Sequence, residues 1–127
     1  TVIVYPVTTT DGYSGDISYI IGVNIDDNSI AGVRVVSHQE TPGLGDKIEL
    51  RKSPWILSFN GLSLENTQAK DWTVKKNGGK FDGFTGATIT PRSVTHSIAR
   101  TLNYHQLFID QLLKKITIAN QQKVSNG

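Results

Sequence analysis

The strongest constraint on this chain is a stretch in which apolar residues recur at every second position. Residues 17–25 place five apolar side chains on one face of an extended backbone, because successive side chains of a strand point to opposite sides. Most of the residues between them are polar or small, so the other face can meet water. The pattern predicts a half-buried strand. Its apolar face consists of Ile17, Tyr19, Ile21, Val23 and Ile25.

Strand signals also flank this segment on both sides. An Asp-Asp-Asn-Ser turn and a β-prone run over residues 30–36 follow it, so these two strands are expected to pair as an antiparallel hairpin. Upstream, residues 2–7 form another β-prone run, in which Pro6 indicates an edge strand or a strand end. A second hairpin is predicted between residues 70–76 and 80–84, which an Asn-Gly-Gly turn separates.

Two segments in the middle of the chain carry the signals of a helix start. A Thr-Pro pair at 41–42 is expected to cap and open a helix that runs to Leu50, because threonine is a favoured N-cap and proline a favoured first residue. A Ser-Pro pair at 53–54 repeats this signature before an apolar run that ends at Asn60-Gly61, and either a helix of one to two turns or an apolar loop is expected there.

The last third of the chain carries the longest helical pattern. A helix is expected over residues 91–102, with Thr90 as its N-cap and a break at Asn103 before a second helical run. Each run has apolar residues four positions apart, which form one stripe, and the first stripe is expected to be buried against the sheet. The two stripes are Val94, Ile98 and Leu102, and Phe108, Leu112 and Ile116.

Strands followed by C-terminal helices predict an α+β fold, built from antiparallel sheet hairpins with the helices packed on the sheet. The length of 127 residues favours a single domain. That domain is expected to span residues 1–119, with its core at about 17–103, and the polar residues 120–127 are expected to form a frayed C-terminal tail.

Composition excludes several classes of function. The chain has no cysteine, and its three histidines lack the spacing of metal ligands on a helix, so no metal site is expected. The net charge of +2 and the scattered aromatic residues indicate no nucleic-acid partner. No stretch approaches the ~18 apolar residues of a membrane span. Because the chain starts at Thr1, a processed form or an excised domain is expected, and an upstream membrane anchor is compatible with it.

Small residues cluster in two segments where regular structure does not require them. Residues 40–45 read Glu-Thr-Pro-Gly-Leu-Gly, in which the glycines let the backbone approach a flat ligand while Leu44 presses on it. Residues 82–91 place three hydroxyl groups before a predicted helix N-terminus, which is a natural site for a phosphate group. Taken singly, each segment has a simpler explanation, as a tight loop or as a helix cap; together in one small domain they favour a ligand site.

The string Thr-Gly-Ala-Thr at residues 85–88 resembles the [Ser/Thr]-Gly-Ala-Thr flavinylation motif of the FMN-binding domain. That domain occurs in the membrane redox complexes Rnf and Na+-translocating NADH:quinone reductase. Asp82 fits the longer pattern that a flavin transferase reads, and residues 40–45 look like a second loop of the same family. The segment FDGFTGATITPRSV at 81–94 is similar to the G subunit of the Rnf complex, whereas the C subunit of the quinone reductase usually has Ser-Gly-Ala-Thr-Leu-Thr. The resemblance covers residues 19–99.

The resemblance implies a redox subunit of an ion-translocating oxidoreductase complex, one that relays electrons through FMN and is not catalytic by itself. It implies that FMN is bound covalently, as a phosphoester of the Thr88 hydroxyl. The implied partners are the other subunits of the complex, a flavin transferase for maturation, and the cell inner membrane, reached by an N-terminal helix that leaves this domain on the periplasmic side. The residues implied to bind FMN are Thr85, Gly86, Ala87, Thr88 and Thr90, together with Glu40, Thr41, Gly43, Leu44 and Gly45.

Several alternatives remain open on the sequence. Thr85 and Thr90 are competing hydroxyls, although Thr85 fits local hydrogen bonding and Thr90 fits an N-cap. His38 is expected either near the flavin or in a structural role. The chain can also be a non-redox ligand-binding or sensory module, the related C subunit of the quinone reductase, or a flavin domain of another reductase or regulator. Purified protein that is yellow favours a flavin domain, and colourless protein favours the binding module.

Overall fold

The computed structural model describes residues 1–126, and the side chains as far as residue 123, as a three-stranded sheet, an irregular middle segment and one long helix. The strands β1 (Val2–Thr9), β2 (Ile17–Asn24) and β3 (Ile30–Ser37) are antiparallel and lie in the order β1-β2-β3. The helix α1 spans Ile89–Asn126. The predicted α+β class and the hairpin between residues 17–25 and 30–36 are confirmed.

One face of the sheet forms half of the core, as the alternation predicts. Ile17, Tyr19, Ile21 and Val23 are fully buried along β2. Ile25 is 37% exposed, because it lies past the end of β2 in the turn, so its predicted burial is wrong. Pro6 lies in the edge strand β1, where a residue without an N–H is tolerated.

The first turns of α1 cover the buried face of the sheet. The predicted stripe is confirmed: Val94 and Ile98 are fully buried and Leu102 is 2% exposed. The hydroxyl groups of Tyr19 and Ser97, 2.7 Å apart, share a buried hydrogen bond that ties β2 to this helix.

The helix differs from its prediction at three points. It begins at Ile89, so Thr90 lies in its first turn and is not its N-cap. It also continues through Asn103. The side-chain amide of Asn103 donates a hydrogen bond to the carbonyl oxygen of Ala99 at 3.0 Å, so this residue is accommodated within the helix. The predicted frayed tail instead continues α1 to Asn126, and Gly127 lies outside the described residues. The second stripe is exposed, with Phe108, Leu112 and Ile116 at 38%, 41% and 48%.

The middle of the chain consists of turns and short 3-10 helices. The Ser-Pro signature is confirmed, because Ser53 Oγ accepts the amide of Trp55 at the start of the 3-10 helix Pro54–Phe59. The helix expected from residue 41 is wrong except for the single turn Gly45–Ile48. Thr41 does not cap it; the Thr41 carbonyl oxygen accepts the amides of Leu44 and Gly45 in a tight turn.

The predicted second hairpin is also wrong. Residues 70–84 form the 3-10 turns Ala69–Asp71 and Lys75–Asn77 and an isolated bridge between Val74 and Phe81. This segment has few apolar side chains to bury. Irregular turns are enough to place Trp72, Val74 and Phe81 in the core, so no ladder of paired strands forms. Among residues 1–126, no helix combines the length and apolar content that a membrane crossing requires.

We expect Ile98→Ala to lower the free energy of unfolding by about 2–5 kcal/mol, because it leaves a cavity between α1 and the sheet. Ile116→Ala is the matched control: it makes the same change on the same helix at a site that is 48% exposed. The control should change the free energy of unfolding by no more than about 0.5 kcal/mol. Urea denaturation followed by circular dichroism measures both, and equal effects would mean that the packing of α1 on the sheet is misassigned.

Candidate functional site

The two glycine-containing loops meet at a cavity of about 380 Å³. This volume falls in the range of about 300–1,000 Å³ that is usual for small-molecule sites. Its wall combines apolar and small side chains with several hydroxyl groups. The lining residues are Tyr13, Thr41, Leu44, Gly45, Gly86, Ala87, Thr88, Ile89 and Thr90.

The 40–45 loop forms one wall of this cavity. Gly43 has φ +78°, a backbone conformation that favours glycine, and its amide donates to Asp46 Oδ1 at 2.9 Å. Leu44 remains 39% exposed next to the cavity. Gly45 packs against α1 so closely that a Cβ there would lie 2.8 Å from Thr90 Oγ1. The glycines therefore let this loop turn sharply and lie directly on the helix.

The 82–88 loop forms the opposite wall. The amide of Ala87 donates to the carbonyl oxygen of Phe84 at 3.0 Å, which closes a turn with Gly86 at its third position. Gly86 has φ +78°, as a type II turn requires there. A Cβ on Gly86 would lie 3.4 Å from Leu44 Cδ2, so the tips of the two loops are in contact range.

Thr88 lies directly before α1, where the helix leaves amide groups without partners. Among the described residues, none accepts a hydrogen bond from the amides of Thr88, Ile89 or Thr90, and none hydrogen-bonds the Thr88 hydroxyl. Unpaired amides and the positive end of the helix dipole together attract an anionic group. Thr88 is half-buried and lines the cavity beside these amides, at a position suited to a phosphate.

Glu40 holds this arrangement together from behind the cavity wall. Its carboxylate is 4% exposed and accepts the amides of Tyr13 and Ser14, at 2.9 and 2.7 Å. Its Oε1 also accepts the Thr90 hydroxyl at 3.0 Å. The predicted cap of α1 therefore serves as a donor to a carboxylate, which links the 40–45 loop to the helix.

Tyr13 also lines the cavity, although it belongs to neither of the two segments that the sequence indicated as a ligand site. Its ring is 70% exposed at the rim, and Glu40 fixes its backbone.

Asp11 fixes the same loop to α1, since its carboxylate accepts the hydroxyl of Ser93 at 2.5 Å and that of Thr9. The hydrogen bonds from Ser93 and Thr9 lower the pKa of Asp11. The sequence signal that could have predicted a role for this loop in the site is an aromatic residue, Tyr13, between two glycines, Gly12 and Gly15.

The remaining predicted residues lie at or near the cavity in different roles. Thr85 is exposed and borders a separate cavity of about 360 Å³ on the outer side of its loop. His38 lies behind the wall: its Nδ1 accepts the amide of Glu40 at 3.0 Å, and its Nε2 is 3.4 Å from Glu49 Oε1. His38 thus has a structural position. Across residues 1–126, no group of three or more acidic or histidine side chains is arranged to hold a metal ion.

Fold and cavity define an α+β domain with a small-molecule-sized cavity between two glycine-containing loops. The family model described as "FMN-binding domain" matches residues 12–103. The chain belongs to the FMN-binding domain family.

Its relatives are components of ion-translocating complexes. The chain is 46% identical over 120 residues to the G subunit of the ion-translocating oxidoreductase complex of Pseudoalteromonas atlantica, a match that covers 94% of this chain and 55% of that protein. It is 56% identical over 94 residues to the protein of the same name from Vibrio atlanticus, covering 74% and 44%. The chain thus spans about half the length of the curated relatives it matches.

A solved structure has a similar fold. The crystal structure of Shewanella oneidensis NqrC matches with a TM-score of 0.65 at 29% identity, over 89% of this chain and 55% of that chain. It supports the predicted α+β arrangement of a sheet with a C-terminal helix packed on it.

Replacing Glu40 by Gln should lower the free energy of unfolding by about 1–3 kcal/mol, because its side-chain NH2 would face one of the N–H groups that the carboxylate now accepts. Both carboxylate oxygens accept hydrogen bonds, so either orientation of the glutamine leaves one donor unsatisfied. Glu49→Gln, at a partly exposed side chain, is the control and should cost less than about 1 kcal/mol. Thermal and urea denaturation measure the difference, and a Glu40→Gln protein as stable as the control would contradict the role of the carboxylate.

Proposed function

We propose that this chain is the FMN-carrying domain of the G subunit of an Rnf-type ion-translocating oxidoreductase, and that it relays electrons through FMN bound covalently to Thr88. The observation that carries the proposal is the place of Thr88, which lines the cavity and directly precedes the unpaired amides at the start of α1. The names and identity levels of its relatives support the same assignment.

The residues present fit an FMN molecule in both of its parts. The amides of Ile89 and Thr90, with the N-terminus of α1, would stabilise the phosphate charge. Leu44, Ala87 and Tyr13 supply apolar and aromatic surface for the flat ring system. Once bound, FMN supplies electron-transfer chemistry that no side chain of this chain provides, and the protein sets its position and its potential.

Attachment to Thr88 requires an activated donor, because the phosphate of free FMN has only a poor leaving group. With a flavin dinucleotide such as FAD, the Thr88 oxygen bonds to the FMN phosphorus and loses its proton. The pyrophosphate bond breaks at the same time, and adenosine monophosphate leaves with the electron pair of that bond. No oxidation or reduction takes place. The flavin transferase would supply the base and the bound donor, so Thr88 is an attachment point and not a catalytic nucleophile of this chain.

We also propose that the domain works outside the cytoplasm, next to the other subunits of the complex. The names of its relatives place them in an ion-translocating assembly, which supports an inner-membrane location. Because those relatives are about twice as long as the match, the full protein has room for an N-terminal membrane helix. This domain would then lie on the periplasmic side.

The related C subunit of the Na+-translocating quinone reductase is the second candidate. The similarity in fold to NqrC supports it, but at 29% identity, whereas the relatives from ion-translocating oxidoreductase complexes reach 46% and 56%. The residues after the attachment threonine are Ile89 and Thr90, where the quinone reductase protein usually has Leu-Thr. The stronger identity favours the Rnf-type assignment.

Coexpression with the flavin transferase should give a chain that retains FMN after denaturation, and Thr88→Ala should abolish this retention. The hydroxyl is the bonding atom, so no other side chain can substitute at that position except serine. Intact mass after unfolding and peptide mapping by mass spectrometry provide the measurement.

Thr85→Ser is the matched control, because it alters a hydroxyl residue of the same loop while keeping the [Ser/Thr]-Gly-Ala-Thr pattern, and it should keep the covalent FMN. Thr88→Ser should also retain FMN at a reduced rate. Flavin that washes off the denatured wild-type chain, or that stays attached in Thr88→Ala, would refute the attachment site.

Removing the Leu44 side chain should change the properties of the bound flavin without unfolding the domain. Leu44→Ala admits water to the cavity, and a more polar surrounding favours the negatively charged reduced flavin. We expect the midpoint potential to rise by about 20–40 mV, since 30 mV corresponds to ~1.4 kcal/mol for two electrons.

The control for this change is Leu50→Ala, at a leucine that is 42% exposed and outside the cavity, compared with 39% for Leu44. Spectroelectrochemical titration of both variants measures the potential. A shift of equal size in both variants, or in neither, would count against contact between Leu44 and the flavin.

A further inference from the structure

The 82–88 loop is fixed to the core through Trp55 before it reaches Thr88. The indole of Trp55 is buried at 6% exposure, in the 3-10 helix Pro54–Phe59. Its Nε1–H donates to the carbonyl oxygen of Asp82 at 2.8 Å. The side chain of Asp82 is exposed and pairs with the exposed Lys75 at 2.7 Å, so the backbone contact is what fixes this residue to the core.

The same indole also holds the next anchoring side chain of the loop. Phe84 is 7% exposed, and its ring lies edge-on to Trp55, with centroids 5.1 Å apart and planes at 72°. The carbonyl oxygen of Phe84 accepts the amide of Ala87 and so closes the turn that leads to Thr88. A direct chain of contacts therefore runs from the Trp55 ring through Phe84 to the turn.

The residues between these anchors and α1 have little support of their own. Thr85 and Gly86 are exposed, and a Cβ on Gly83 would meet no atom within 4 Å. The other supports of this segment are the Leu44 side chain near Gly86 and the packing of Ala87 against the core, so loss of the Trp55 contacts would loosen the loop ahead of the helix. A segment with few contacts opens locally at low cost, so its anchors determine how often it is in place.

We propose that Trp55 is a positioning residue for flavin attachment: its N–H on Asp82 and its ring on Phe84 hold the 82–88 loop so that the Thr88 hydroxyl is presented to the transferase. This inference rests on the proposed function. It assigns to Trp55 no contact with FMN. Trp55 acts through the position of the loop. The step that it affects is the transfer itself, in which the bond between the Thr88 oxygen and phosphorus forms while the pyrophosphate bond of the dinucleotide breaks.

The test compares Trp55→Phe with Trp72→Phe. Both tryptophans belong to one row of aromatic contacts that runs from Trp72 through Phe81 and Phe59 to Trp55. Trp72 is similarly buried at 5%, but its Nε1–H has no hydrogen-bond partner among the described residues. Trp72→Phe thus makes the same change in size within the same core and removes no bond to the loop.

The first measurement is amide hydrogen exchange of the flavin-free chain. The Ala87 amide reports the turn through its bond to Phe84, and the Ile30 amide, bonded to the Leu62 carbonyl oxygen, reports the distant fold. Loss of one hydrogen bond should speed exchange at Ala87 about five-fold in Trp55→Phe. The ratio of Ala87 to Ile30 exchange should stay at its wild-type value in Trp72→Phe.

The second measurement is the rate of flavin transfer to each purified variant, with the transferase and FAD. We expect kcat/KM to fall about five-fold or more in Trp55→Phe, mainly through kcat, and to stay within about two-fold in Trp72→Phe. Trp55 replaced by 3-benzothienylalanine, an isostere that lacks the N–H, should reproduce the Ala87 effect if the hydrogen bond is the anchor. This variant keeps a ring of the same size in the core, so its effect cannot be attributed to misfolding.

Equal effects of the two Phe variants on transfer and on Ala87 exchange would overturn the proposal, since Trp55 would then only fill the core. Wild-type behaviour of the isostere would overturn the role of the hydrogen bond. If the wild-type chain accepts no FMN at Thr88, the proposed function fails, whereas the exchange measurement still decides whether Trp55 positions the loop.

Discussion

A carboxylate that leaves water must recover its hydrogen bonds inside the protein, and Glu40 recovers three of them. Two donors are amides of the loop that carries Tyr13, and the third is the hydroxyl of Thr90 in the first turn of α1. One side chain therefore sets the distances between three segments that are far apart in the sequence. The cavity has its shape because these segments cannot move independently of one another.

The opposite wall depends on packing and not on charge. A row of aromatic rings reaches from the irregular middle segment to Phe84, and it holds the 82–88 loop from the core side. Beyond Phe84 the loop is small, exposed and turned by Gly86, so another protein can reach it. A carboxylate on one side and aromatic rings on the other thus fix both ends of a loop whose middle stays accessible. The proposed attachment of FMN to Thr88 by a transferase would use this combination of fixed ends and an accessible centre.

The elements that the sequence predicted well are those with a clear period. One face of each element is buried, and every position on that face therefore needs an apolar side chain. This requirement produces the alternation in β2 and the four-residue spacing of Val94, Ile98 and Leu102. Apart from the burial of Ile25, which lies past the end of β2, the predictions that were wrong relied on single turn or cap residues. Asn103 does not end α1, because its side-chain amide donates to the carbonyl oxygen of Ala99. The Asn-Gly-Gly turn closes no hairpin, because the segments on either side of it bury their apolar side chains through irregular turns and form only an isolated bridge.

For the site, the sequence by itself determined the two loops and the candidate hydroxyl groups, since glycine, proline and threonine restrict the backbone locally. Only the tertiary structure decided that Glu40 lies behind the wall, that Tyr13 lies at the rim and that the Thr90 hydroxyl is occupied. These facts depend on hydrogen bonds between residues separated by 27 and 50 positions. Local periodicity carries no information about such pairs, because the partners meet only when the sheet and the helix have packed together.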